Sequence, residues 1–142
     1  LAGLRVGYAI GDTTLIDGLI RIKNSFNSYP LDRIAQKASV TSFQEDNYFK
    51  ETCKKIIETR NRFIKALENL QFFVLPSGGN FIFAQPPSAL SANTIYSQLR
   101  DIGILVRYFN QPEKLKNFLR ITIGTDQQMD LFVDELKKII NQ

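Results

Sequence analysis

The sequence predicts a mixed α/β chain whose second half is a small α+β unit. Three observations carry this expectation. Apolar residues recur at helical spacing over most of the first 70 positions, the period changes to that of strands from Phe72, and the order from there reads strand, strand, helix, strand, strand, helix. Such an order places helices on one face of a small, largely antiparallel sheet.

Residues 4–10, LRVGYAI, flanked by Gly3 and Gly11, read as a short strand in a sheet covered on both faces. An arginine there, Arg5, is then buried and requires an anionic partner, because an uncompensated charge in a low-dielectric site is costly. Asp12 and Thr13 offer a cap for a helix carrying Leu15, Ile16, Leu19, Ile20 and Ile22 at i, i+3/i+4 spacing. The loop NSFNSYP, closed by Pro30, leads to Asp32, which can cap a second helix running to about Phe43. The longest periodic segment is 46–70. Phe49, Cys53, Ile56, Ile57, Phe63, Ile64 and Leu67 line one face of it, and Lys54, Lys55, Glu58, Arg62 and Lys65 the other. A helix of that length exceeds what one small core needs and is expected to bridge two structural units.

The strand patterns are FFVLP, then NFIFAQP after the turn Ser77-Gly78-Gly79, then ILVRYF and FLRITIG. Between the second and third, Ser91 precedes a helix holding Ile95, Leu99 and Ile102 and stopped by Gly103. Thr125 with Gln128 three residues on forms a capping box for a last helix, whose apolar face is Met129, Phe132, Val133, Leu136 and Ile140.

Composition narrows the chemistry. A chain of 142 residues with 44% hydrophobic and 23% charged residues has room for an ordinary globular core. No apolar run is long enough to span a bilayer and the start has no leader pattern, so the expectation is a cytoplasmic protein with no membrane partner. With no histidine and the single Cys53, the chain can build neither an internal disulfide, nor a His/Cys metal site, nor a His-based triad. Proton transfer is left to Lys, Tyr, Asp, Glu or a cofactor. The net charge of +4 comes from 18 basic residues interleaved with 14 acidic ones, which reads as a solvated surface and not as a nucleic-acid footprint. Cys53 lies on an apolar stripe and reads as packing. Asp12, Asp17, Glu45 and Asp46 fall at caps or on exposed helix faces, so paired-carboxylate catalysis has no support, and neither a P-loop nor a dinucleotide fingerprint is present.

Three arginines interrupt apolar strand patterns: Arg5 in GLRVG, Arg107 in ILVRYF and Arg120 in FLRITIG. A guanidinium offers a planar fork of donors suited to carboxylate or phosphate, which makes each a candidate anion ligand. A solvent-facing arginine in a half-exposed strand is the other reading, and spacing alone leaves both open.

Taken together, LAGLRVGYAIG at the start, SYP at 28–30, PSGGNFIFA at 76–84, GILVRYF at 103–109 and FLRITIGT at 118–125 resemble the histidinol-phosphate aminotransferases. More broadly they resemble class I/II aminotransferases of pyridoxal-phosphate fold type I. The resemblance runs through essentially the whole chain and corresponds to the C-terminal part of such an enzyme. It implies that residues 1–43 are the end of the large cofactor domain, a strand and helices. Residues 44–142 are then the long linking helix and a small β-β-α-β-β-α domain.

The resemblance also implies roles. Arg5 matches the arginine that grips the phosphate of pyridoxal 5'-phosphate. The family's Schiff-base lysine falls upstream of Leu1, so no catalytic residue is expected within the chain; Lys23 and Lys37 lie in helical patterns without its motif. Arg120 matches the arginine that holds an acidic group of the substrate. Arg107 matches a second arginine that helps hold substrate phosphate, and Asn80 an asparagine placed near the substrate. Gly79 stands where many relatives have Ala, and Tyr29 receives no contact. The implied reaction moves an amino group between L-histidinol phosphate and 2-oxoglutarate, in a homodimer, with the 142-residue chain inactive by itself. A related threonine-phosphate decarboxylase and a non-catalytic module that binds a phosphorylated metabolite are the alternatives.

Overall fold

A computed structural model describes residues 2–141. They form two compact units whose division falls between Glu51 and Thr52.

The first unit opens with a 3₁₀ turn, Ala2–Leu4, followed by helices α1 (Thr13–Phe26) and α2 (Arg33–Gln44) and the start of α3 (Asp46–Asn69). Both early caps form as the sequence predicts. The Asp12 carboxylate accepts from the Thr14 amide at 2.9 Å, and Asp32 accepts from the Ala35 amide at 2.8 Å. The stripe Leu15, Leu19, Ile22 and Phe26 is exposed, and α1 contains no buried residue. Local periodicity therefore made the helix, while burial of the stripe needs a surface that this unit does not supply.

Residues 4–10 depart from the expectation. They form no strand: Arg5 lies in a turn with φ +56° and is exposed, and residues 6–10 have no regular structure. A strand exists only against a hydrogen-bonded neighbour, and no other strand occurs among the described residues of this unit. The buried setting expected for Arg5 is corrected with it. Left-handed backbone costs an L-residue about 1–2 kcal/mol, so the turn at Arg5 is a specific conformation and not a default one.

The second unit contains the remainder of α3, β1 (Phe73–Val74), β2 (Phe81–Gln85), α4 (Ala92–Asp101), β3 (Arg107–Tyr108), a 3₁₀ turn (Glu113–Leu115), β4 (Leu119–Thr122) and α5 (Asp126–Ile140). The sheet order is β1-β2-β4-β3, with every neighbouring pair antiparallel. Strand alternation sends Ile82, Ala84, Leu119 and Ile121 into a core shared with Phe63 and Leu67 of α3, Ile95 and Leu99 of α4, and Met129, Phe132 and Leu136 of α5. Phe63 and Phe132 meet edge to face, 5.4 Å between centroids. Each large side chain buried this way contributes about 1.5–3 kcal/mol of transfer free energy, which is why three helices cover one face of so small a sheet.

The remaining caps also follow the sequence. Ser91 Oγ accepts from the Thr94 amide at 3.0 Å, and Thr125 and Gln128 form a reciprocal capping box on α5. Strand β3 is shorter than the ILVRYF pattern suggests, because the Gly103 and Ile104 amides close the end of α4 on Arg100 and Leu99. Gly103 supports that closure with φ +83°, a conformation open to glycine. No helix is long and apolar enough to cross a membrane, and no cluster of three metal-ligating side chains occurs, among the described residues.

Candidate anion-binding site

The face of the sheet turned away from the helices carries the two arginines of the strand motifs. In the register of β3 against β4, Arg107 and Arg120 are direct cross-strand partners; in that of β2 against β4, Phe83 lies opposite Arg120. Opposed residues point to the same face, so Phe83, Arg120 and Arg107 form a row across three strands. The Arg120 guanidinium lies 5.3 Å above the Phe81 ring, and that of Arg107 lies 5.3 Å above the Phe109 ring. Phe83 in turn packs against both Phe81 (5.8 Å) and Phe109 (6.0 Å), joining the two supports into one aromatic floor.

The charge balance of this row is unusual. Among the described residues no carboxylate forms an ion pair with either arginine. Cation–π contact with a phenylalanine offsets only about 0.5–1 kcal/mol at an exposed position, and like charges directly opposite each other destabilise the pair. Arg120 Nε is also buried without a hydrogen-bond partner among the described residues. Two arginines opposed on one sheet face, one with an unspent Nε–H donor, make this row the candidate site for an oxyanion.

Asn80 stands at the entry to β2. Its carbonyl accepts from the Ile123 amide at 2.8 Å, which ties it to the segment just beyond β4, three residues from Arg120. The preceding turn is closed by Ser77, whose Oγ accepts from the Gly79 amide at 3.2 Å and donates to the Phe81 carbonyl at 2.5 Å. A Cβ at Gly79 would meet the Phe81 ring at 3.7 Å, ordinary contact, so an alanine fits there. Arg60 of α3 donates to the Gly79 carbonyl at 2.7 Å. The structure thus brings Arg107 and Arg120 together on one sheet with Asn80 at the entry to its strand β2, while Arg5 lies in the turn of the first unit.

A second charged cluster ties α3 to α5. The Thr59 hydroxyl donates to Asp126 at 2.8 Å, and Arg62 pairs with Asp126 at 3.0 Å and with Asp130. The Thr59 hydroxyl first, and Arg62 second, hold the Asp126 carboxyl below its ordinary value, and the two carboxylates raise Arg62. Both carboxylates of this cluster are paired with Arg62, so it reads as a clamp between helices.

Arg60, Phe81 and Phe109 were not singled out in the sequence. Arg60 carried a usable signal: it lies four residues after Ile56 and three before Phe63, a cation on an apolar helix stripe. The rings carried none, because which arginine rests on which ring depends on strand register.

The family model for aminotransferase class I and II matches residues 1–136. This chain belongs to the class I and II aminotransferases. Histidinol-phosphate aminotransferase 2 of Thiobacillus denitrificans is 50% identical over 139 residues, 98% of this chain and 39% of that protein. This aminotransferase chain therefore spans about two fifths of the length of such relatives. The solved structure of histidinol-phosphate aminotransferase from Sinorhizobium meliloti in complex with pyridoxal-5'-phosphate is similar with a TM-score of 0.85 at 25% identity, covering 99% of this chain and 38% of that one. L-threonine-O-3-phosphate decarboxylase from Porphyromonas gingivalis shares the fold, with a TM-score of 0.76 at 22% identity over 99% of this chain and 43% of that one.

Proposed function

We propose that this chain is the C-terminal part of a pyridoxal-phosphate aminotransferase that moves an amino group between L-histidinol phosphate and 2-oxoglutarate, acting as a cytoplasmic homodimer. The observation that carries the reading is the direct opposition of Arg107 and Arg120 on a sheet face, with no carboxylate paired to either among the described residues. A phosphate monoester is near a dianion at neutral pH and matches two guanidinium forks better than a single carboxylate does.

The roles divide by residue. Arg107 and Arg120 bind and orient the acidic end of the substrate, with Phe81 and Phe109 holding the two guanidinium planes from below. Asn80 supplies a further polar contact near that end. Residues 1–43 close the cofactor domain and 44–142 form the linking helix and substrate domain.

The cofactor's fit rests on donor chemistry. Arg5 is an exposed residue in a turn of defined, left-handed backbone, and its guanidinium has the donor chemistry that suits the grip of a cofactor phosphate. Pyridoxal phosphate supplies the electron sink when bound, so binding, orientation and electrostatics are left to the chain. No lysine of this sequence takes the covalent role.

The test is to supply the full-length protein with L-histidinol phosphate or threonine phosphate, each with and without 2-oxoglutarate. Glutamate formation from histidinol phosphate, strictly dependent on 2-oxoglutarate, is the expected result. Carbon dioxide release from threonine phosphate without an oxo acid would replace this reading with the decarboxylase.

A further inference from the structure

We propose that Arg60 is a positioning residue for Arg120, acting through the Gly79 carbonyl and the Phe81 ring; the functional meaning of this role rests on Arg120 being an anion ligand. Arg60 is half-buried on the apolar stripe of α3, and its guanidinium donates to the Gly79 carbonyl at 2.7 Å. Its Nε is buried without a hydrogen-bond partner among the described residues, a property shared only with Arg120 Nε there. A cation placed on an apolar stripe to hold one neutral carbonyl is an expensive way to fix a turn, and it points to a position that must be held closely.

What the turn holds is short and continuous. Ser77 Oγ bonds to the Gly79 amide and to the Phe81 carbonyl, so residues 77–81 move as one piece. The Phe81 ring passes beside Gly79, and the Arg120 guanidinium rests 5.3 Å above that ring. Asn80, between them, anchors the Ile123 amide. At the other end, α3 is fixed to α5 through Thr59, one residue before Arg60, and Arg62, two residues after it. Arg60 is thus the link between a clamped helix and the turn that carries the floor under Arg120.

The experiment uses the full-length holoenzyme, with Arg60→Met, Arg60→Lys and Arg62→Met as variants. The first reading, without added anion, is the Nε–Hε proton resonance of Arg120, displaced upfield by the Phe81 ring. The second is the affinity for inorganic phosphate. In Arg60→Met the upfield displacement should collapse and phosphate binding weaken on the order of threefold to tenfold, the worth of one hydrogen bond. Arg60→Lys, which can still donate to the Gly79 carbonyl, should restore most of both, and Arg62→Met should leave the Arg120 resonance in place. If Arg60→Met does not give a dispersed spectrum, Arg60→Gln is read the same way. An unchanged Arg120 resonance in Arg60→Met, or an equal change in Arg62→Met, overturns the proposal. If the wild-type protein ignores phosphate while Arg60→Met still moves Arg120, the positioning role stands and the anion-binding reading of Arg120 fails.

Discussion

Arg107 and Arg120 face each other across the β3–β4 pair, two like charges at one cross-strand position. Such an opposition costs roughly 0.2–1 kcal/mol relative to a neutral pair. Arg107→Thr, which suits an exposed strand position, should therefore stabilise the unliganded chain by about that amount at low ionic strength. The gain should shrink at high salt, where the Debye length is about 3 Å at 1 M. The same substitution should weaken protection by phosphate, measured as the rise in Tm against chloride at equal ionic strength. A residue serving only the fold would lose stability when replaced; here stability and anion binding should move in opposite directions.

Three glycines of the second unit should separate cleanly. Gly79→Ala should change stability by less than about 0.5 kcal/mol, because the added Cβ meets only the Phe81 ring at ordinary contact distance. Gly103→Ala should cost about 1–2 kcal/mol through its φ of +83°. At Gly124 a Cβ would fall 2.4 Å from Gln128 Oε1 and force that side chain out of the capping box, with a loss of about 1 kcal/mol. Urea unfolding of the three variants checks the order.

Asp126 sets an acid-side prediction. Its carboxyl is held below the ordinary value of 3.8 by the Thr59 hydroxyl and Arg62, so the folded state favours the ionised form. The associated stability is present above that value and is lost as pH falls through the lower folded-state value. Thr59→Val removes the larger cause and should bring the Asp126 titration, followed by carboxyl-carbon NMR, back toward 3.8. An Asp126 titration that stays put in Thr59→Val would show the clamp to be unimportant for this carboxylate.

Most of the second unit was legible in the sequence because each of its elements carries its own signal. Ser91 and the Thr125/Gln128 box fixed helix starts, Gly103 fixed a helix end, and the alternation in FIFAQ and LRIT set which residues enter the core. Residues 4–10 show the opposite case. An apolar run with small residues is compatible with a strand, but pairing is a property of two segments, and the described residues of this unit offer no second one. At the site, the arginines of the strand motifs were visible as charges out of pattern. Their opposition, and the seats on Phe81 and Phe109, come from a register that no single segment encodes.

The central claim, that Arg107 and Arg120 hold the phosphate of the amino donor, is tested most directly by substrate discrimination in the full-length enzyme. The measurement is kcat/KM for L-histidinol phosphate and for a donor lacking the phosphate, in wild type and in Arg107→Met. A hydrogen bond to a charged group is worth about 1.5–3 kcal/mol, so the variant should lose about 10- to 150-fold on the phosphorylated donor. It should change little on the other donor. Equal losses on both donors would contradict the account.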